Sequence, residues 1–367
     1  MDKKEIIEKL QKLRSDDPYF QDGKIISSVS TQPLDVALDA WRIYSDVNAL
    51  DTYIFSSVAR LEEEIIGWMG RLLSCRNASG YVSTGGTESN IAALYAAKKM
   101  NPGKKEIIAP VSAHYSIDKA ADLMGLRVKR TPLDENFRAD ASAIKKEINK
   151  NTLAVIATAG TASLGMLDPA EEIARDCGDV LLHVDAAYGG FMLPFIKKRL
   201  SDFRLDNIDS LTIDPHKMGC APMPAGAILF RDESYRKEML VKPSYIPIET
   251  STLSGSRSGG AIAAVWATIN FFGREGYEKM TAGCMKNTAL LCGELEKIPG
   301  SGIVTEPDLN IVGVRLPDID RTSAELMKKG WKIAVNRDLS CMRFAVMPHV
   351  TKETIYEFTE DLKKIVK

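Results

Sequence analysis

Residues 180–219 read VLLHVDAAYGGFMLPFIKKRLSDFRLDNIDSLTIDPHKMG. Two short apolar runs stand out in this stretch, Val180 to Val184 and Ser210 to Ile213. Each reads as a buried strand that ends in polar, charged residues. The first delivers Asp185; the second delivers Asp214, His216 and Lys217. In an open α/β sheet, ligands bind outside the carboxyl ends of the strands. Asp185 and Lys217 lie 217 − 185 = 32 positions apart. That is one strand-crossover-strand unit, so both can reach the same edge of a sheet.

The pattern extends in both directions. Further apolar runs occur at Ile107 to Ala109, Leu126 to Val128, Leu153 to Ala157 and Ala227 to Phe230. Between them lie helix-like stretches: Thr87 to Met100, Ile117 to Met124, Ala139 to Ile148 and Pro169 to Cys177. This alternation predicts an α/β fold with a mostly parallel sheet and helices on both faces. After Gly255, two long helices are expected, Ala261 to Phe272 and Tyr277 to Ile298, separated by Gly273 to Gly276. The remainder reads as a small α/β unit. Its strands are Ile303 to Val304, Ile311 to Leu316 and Met342 to Met347. Its helices are Thr322 to Lys329 and Thr351 to Val366, the last capped by Thr351. The chain therefore divides into an N-terminal helical segment (1–50), a large domain (51–285) and a small C-terminal domain (286–367).

Composition narrows the class. Among 367 residues, Lys+Arg is 48 and Asp+Glu is 49, a formal net charge of −1. That balance excludes a strongly basic nucleic-acid binder and an acidic solvating tail. The six cysteines form no C-x-x-C pair and read as free thiols of a reducing compartment. The start, MDKKEIIEKLQKLRSDD, is charged and amphipathic and lacks the apolar core of a secretory signal. Ala261 to Phe272 is too short to span a bilayer. A soluble, cytoplasmic protein is expected.

Four constellations carry chemistry. Ser83-Thr84-Gly85-Gly86-Thr87-Glu88-Ser89 follows the strand-like Tyr81-Val82 and opens a helix, the arrangement of an anion cradle. It contains neither G-x-G-x-x-G nor GK[ST], and alone it also reads as a capped glycine turn. Asp185 can hold a ring nitrogen or a metal, or merely cap a turn. Thr212-Ile213-Asp214-Pro215-His216-Lys217 brings an amine to a strand end; lysine becomes a Schiff-base nucleophile when its pKa is lowered. Ala113-His114-Tyr115-Ser116 offers a flat imidazole that can stack on a planar group. His349, after Met347-Pro348, reads as a satisfied surface histidine. With only four histidines scattered along the chain, no i, i+4 metal pair exists. A phosphate cradle, a carboxylate for a ring nitrogen, a stacking histidine and a lysine together make up a site for pyridoxal 5'-phosphate.

On these motifs the chain resembles the group II pyridoxal-phosphate-dependent amino-acid decarboxylases. The carriers are STGGTESN, SAHYS, TAGTASLG, HVDAAYGG, DPHKMG, GSRSG and RFAVMPH. The likeness runs from about residue 20 to the C-terminus. Within the group it is similar in particular to archaeal L-tyrosine/L-aspartate decarboxylases of methanofuran and coenzyme A biosynthesis. The resemblance implies fold type I, the aspartate-aminotransferase architecture, with a seven-stranded sheet in the large cofactor domain. It implies a homodimer with shared active sites, clasped by the N-terminal segment.

Roles follow from the same resemblance. Lys217 would bind the cofactor aldehyde and handle protons. Asp185 would keep the pyridine nitrogen protonated, since a nearby carboxylate raises its pKa. Ala187 would lie under one ring face and His114 would stack on the other. Gly86, Thr87 and His216 would hold the phosphate, and Thr161 and Thr212 would lie at the cofactor. Asp214 stands where Asn or Ser is often seen in the group, which leaves its role open. Gly255 and Ser256 would reach the phosphate of the neighbouring subunit. Tyr245, 245 − 217 = 28 positions after the lysine, would protonate the substrate carbon from a mobile loop. Arg343 would bind the substrate carboxylate.

The reaction implied is decarboxylation of L-tyrosine to tyramine, or of L-aspartate to β-alanine. Tyr53, Ile54 and Phe55 are expected to line the site, and their apolar character favours tyrosine; Arg257 is a candidate partner for a side-chain carboxylate. GSRSGG and FFGREGY also resemble sphingosine-1-phosphate lyase, a carbon–carbon lyase. A catalytically silent cofactor-binding scaffold is the alternative from another class.

Overall fold

The computed structural model describes residues 1–366. Three helices come first: α1 (Lys3–Arg14), α2 (Asp35–Ile43) and α3 (Ser56–Leu72). Strands and helices then alternate: β1 (Ser79–Ser83), α4 (Gly86–Met100), β2 (Glu106–Pro110), α5 (Ser116–Met124), β3 (Arg127–Thr131), α6 (Ala141–Glu147), β4 (Thr152–Thr158), α7 (Ala170–Cys177), β5 (Leu181–Asp185), β6 (Ile208–Ile213) and β7 (Gly226–Phe230). A short α8 (Ser234–Lys237) and the long α9 (Gly259–Leu295) follow. The chain closes with β8 (Gly302–Ile303), β9 (Ile311–Arg315), α10 (Ile319–Lys328), β10 (Ala334–Asn336), β11 (Cys341–Ala345) and α11 (Lys352–Val366).

The larger sheet has seven strands in the order β1-β7-β6-β5-β4-β2-β3. β7 is antiparallel to both neighbours and the other pairs are parallel. All residues of β2 and β4 are buried. Helices cover both faces, so these strands are apolar through their centres rather than alternating, with polar residues only at their ends. The edge strand β3, Arg-Val-Lys-Arg-Thr, is only partly covered. Its cations deter pairing with another edge. α4 meets the sheet through Ala92, Ala93, Ala96 and Ala97; small side chains let a helix sit close to the strands.

The second sheet is antiparallel, ordered β10-β11-β9-β8. α10 and α11 pack on it around Trp331, Phe344 and Phe358. The N-terminal stretch joins this unit: Ile25 pairs with Lys332, and Ile26 is part of its core. The two sheets are tied by a two-pronged ion pair from Arg138 to Asp308, at 2.9 and 3.0 Å.

Three details differ from the sequence expectations. The two late helices are not separated by a four-residue spacer. They meet at Gly273, whose φ of 55° and ψ of −175° make a kink that glycine alone absorbs without strain. α3 was not anticipated, although Val58, Ile65, Ile66, Met69 and Leu72 bury one face of it. β10 is three residues long and lies below the length at which periodicity is informative. The cap at the last helix is as expected, with Thr354 N donating to Thr351 Oγ1 at 3.2 Å. Among the described residues, no helix is long and apolar enough to cross a membrane.

Candidate active site

The carboxyl ends of β1, β2, β4, β5 and β6 converge on one cavity of about 380 Å³. Thr84 to Glu88, His114, Asp185, Ala187, Asp214, His216, Lys217 and Arg343 all border it. At its floor the chain leaves β1 and turns at Gly85, whose φ is +154°. A Cβ on Gly85 would stand 3.0 Å from the His216 ring. A Cβ on Gly86 would stand 3.0 Å from both Ala187 Cβ and Asp214 Oδ2. The two glycines therefore keep the first turn of α4 open, with its unpaired N–H groups and positive dipole end at the cavity. Glu88 braces the turn by accepting from Thr84 N at 2.9 Å and Thr84 Oγ1 at 2.8 Å.

Asp185 is 5% exposed, and each of its oxygens accepts one bond from the protein. Asn90 Nδ2 donates to Oδ2 at 2.8 Å, and Ala187 N donates to Oδ1 at 3.1 Å. Lys217 Nζ lies 3.0 Å from Asp214 Oδ2, and His216 Nε2 lies 3.5 Å from the same oxygen. Burial by itself pushes the Lys217 pKa down, but Asp214 and then Asp185 outweigh it and hold the amine above the ordinary lysine value. Asp214 thus holds the Lys217 amine at the edge of the cavity. His114 and His216 move the other way. Burial pulls both below the ordinary imidazole value despite the nearby carboxylates.

Arg343 enters from β11. Its Nη1 donates to the Ser27 carbonyl at 2.8 Å, and its buried Nε has no partner. No carboxylate pairs with it among the described residues, so its planar fork is free to take an anion. Arg257 is the opposite case. Its guanidinium is clamped by both oxygens of Glu62 and by the Val82 carbonyl, which corrects its reading as a substrate partner.

Several expected residues are not brought to this cavity. Thr161 is fully buried, and its Oγ1 accepts from Met166 N at 3.0 Å to close a turn; Thr158, Gly160 and Ala162 border the cavity instead. Thr212 lies beneath the site, donating to Asn90 Oδ1 at 2.7 Å. Tyr245 and Tyr53 are 81% and 50% exposed. Gly255 and Ser256 sit on a loop near Asn48, whose Nδ2 donates to Ser256 Oγ at 3.3 Å. Sequence reading also passed over Asn90, the polar hub under Asp185. Its position 90 − 86 = 4 after Gly86 places it one helical turn on, on the same face. That spacing was the available signal.

An amine, a carboxylate and a helix N-terminus around one cavity suit an anionic, nitrogen-bearing aldehyde. Two buried polar atoms at the site, Asp214 Oδ1 and Thr158 Oγ1, have no protein partner. Residues 40–317 match the family described as "Pyridoxal-dependent decarboxylase conserved domain". The chain belongs to this family. It is a pyridoxal-phosphate-dependent amino-acid decarboxylase, and the residues around its cavity fit that cofactor.

This decarboxylase is 41% identical to a probable L-tyrosine/L-aspartate decarboxylase of Methanocella arvoryzae, over 99% of the chain and 98% of that protein. It is 38% identical to a probable L-aspartate decarboxylase of Archaeoglobus fulgidus, over 99% of the chain and all of that protein. Among solved structures, the decarboxylase resembles sphingosine-1-phosphate lyase of Burkholderia pseudomallei. There the TM-score is 0.92 at 26% identity, over 100% of this chain and 91% of that one.

Proposed function

We propose that this decarboxylase converts L-tyrosine to tyramine and CO2 in the cavity around Lys217. The observation that carries this reading is the charge inventory of the cavity. Its basic residues are His114, His216, Lys217 and Arg343. The two imidazoles sit below their ordinary pKa, and Lys217 is held by Asp214. Arg343 is then the one uncommitted cation bordering the cavity among the described residues. One free guanidinium suits the α-carboxylate that every amino acid carries. A second carboxylate, as in aspartate, would need another cation, and Arg257 is committed to Glu62.

Bound here, pyridoxal 5'-phosphate supplies an aldehyde for the substrate amine and a ring that accepts the electron pair left when CO2 departs. The protein's residues do the rest. Gly86, Thr87, His216 and the α4 N-terminus hold the phosphate. Asp185 holds a proton on the ring nitrogen. Ala187 and His114, which border the cavity, would hold the ring between them. Lys217 would hold the cofactor through its Nζ, and Asp214, 3.0 Å from that nitrogen, would steady the amine and its proton. Arg343 orients the substrate carboxylate. Tyr245 donates the proton to the carbon that CO2 leaves.

Tyr245, Tyr53, Gly255 and Ser256 lie outside their own chain's cavity, which supports completion of the site by a second copy. The exposed row Ile6, Ile7, Leu10 and Leu13 on α1 supports a clasp between copies. Mixing inactive Lys217→Ala and Tyr245→Phe proteins under exchanging conditions should then restore about a quarter of wild-type activity, because half of the dimers carry one complete site. No recovery in verified heterodimers would overturn the shared site.

The substrate is tested by measuring kcat/KM for tyrosine, aspartate and glutamate side by side. Tyrosine should lead by on the order of 100-fold, the scale set by leaving one buried charge unpaired. A lead for aspartate refutes the tyrosine assignment. The shape of sphingosine-1-phosphate lyase supports a second reading, cleavage of a phosphorylated amine. Aldehyde in place of CO2 among the products identifies it.

A further inference from the structure

Under the site lies a chain of hydrogen bonds whose direction is set at every link. Asp185 is an acceptor, so the Asn90 side chain must present Nδ2 to it, at 2.8 Å. The other N–H of Asn90 donates to Ser116 Oγ, also at 2.8 Å. Asn90 Oδ1 then faces two donors, Thr212 Oγ1 at 2.7 Å and His183 Nε2 at 3.0 Å. His183 is held neutral by burial, its pKa pushed down to about 4, and its Nδ1 is met by Ser210 Oγ at 2.9 Å.

Ser116 Oγ accepts from Asn90, and its own proton goes to His114 Nδ1, 2.9 Å away, because a second donor that cannot accept already faces that nitrogen. The Ser116 backbone N–H points at the same nitrogen, at 3.3 Å. A backbone N–H can only donate. His114 Nδ1 is therefore a double acceptor and carries no proton. Asn90 and Ser116 are fully buried, so water cannot substitute for either donor. The remaining ring nitrogen, Nε2, has no protein partner among the described residues, and the ring borders the cavity.

We infer that Asn90 and Ser116 are positioning residues that lock His114 in the Nε2–H form, so that it offers the cavity a hydrogen-bond donor and not a base. The inference rests on the site reading above, and it adds a sign to His114. At neutral pH the ring donates to an anionic oxygen of the bound cofactor or substrate; it does not take a proton from either. The same amide of Asn90 holds Asp185, so one buried side chain sets both the carboxylate at the ring nitrogen and the donor over the ring face.

The test is NMR of the holoenzyme labelled with 15N-histidine, where only four histidines contribute. His114 is assigned by the signals lost in His114→Asn. Its Nδ1 should be unprotonated and its Nε2 protonated. Ser116→Ala removes the hydroxyl donor and keeps the backbone one, so it should raise the Nδ1–H population of this histidine without abolishing the Nε2–H form. The same variant should lower kcat/KM about 10-fold, the scale of one net hydrogen bond to a reacting group, with cofactor absorbance intact. Ser116→Thr, which keeps the hydroxyl, should restore most of the loss. A protonated Nδ1 on His114 in the wild-type holoenzyme overturns the inference. So does an unchanged tautomer in Ser116→Ala. Loss of cofactor absorbance in wild-type protein would instead indict the site reading itself.

Discussion

Lys217→Ala is expected to abolish turnover, by on the order of 10⁴-fold or more, together with the visible absorbance of the lysine-bound cofactor. Lys217 is the only lysine bordering the cavity among the described residues, and Asp214 and Asp185 raise its proton affinity. No neighbour can replace it: His114 and His216 are imidazoles, and Arg343 is a guanidinium that does not deprotonate. The variant should still fold, because the one side-chain bond it removes is the ion pair to Asp214. Among the described residues, the Lys217 Nζ pairs with Asp214 alone. Far-ultraviolet circular dichroism alongside the assay separates loss of chemistry from loss of structure. Full activity in a folded Lys217→Ala protein would sink the assignment.

Asp185→Asn has the second largest expected effect, about 10³-fold in kcat. A carboxylate beside a cation at hydrogen-bond range contributes about 4 kcal/mol at an effective dielectric near 20, which is close to three decades of rate. The substitution also disturbs the network beneath it. Asp185 accepts from Asn90 on one oxygen and from Ala187 on the other. An asparagine has a single acceptor oxygen, so one buried donor loses its partner. Cofactor absorbance should survive, since Lys217 is intact, while turnover collapses. Activity within about 10-fold of wild type would show that the ring nitrogen does not depend on this carboxylate.

Much of the fold was legible because its sheet is buried on both faces. Leu153 to Ala157 is an uninterrupted apolar run and Val180 to Val184 is broken only by His183, and such runs form central strands. Gly273 was legible as a break but not as a kink, because the length of a break depends on what the second helix packs against. α3 was legible in principle through its apolar face, yet it lies outside the strand-helix alternation that organised the reading. Within the site, Asp185, Lys217, Gly86 and His114 were readable from their place after apolar runs. Asn90 was passed over: its spacing from Gly86 places it on the cavity side of the helix, but an amide carries no local sign of which carboxylate it will meet.

Sequence alone determined the chemistry of the strand ends: which positions carry an amine, a carboxylate, an imidazole and a glycine turn. Those are local properties, set by residue type and by the alternation around them. Tertiary structure decided which charges remain free. Arg257 and Arg343 are the same residue type, but Glu62, 195 positions away, clamps the first. The second meets only a carbonyl 316 positions away. The proton affinity of Lys217 and the tautomer of His114 were decided in the same way. Each depends on donors and carboxylates that folding brings together from separate strands and helices, and electrostatic coupling acts through distance in space.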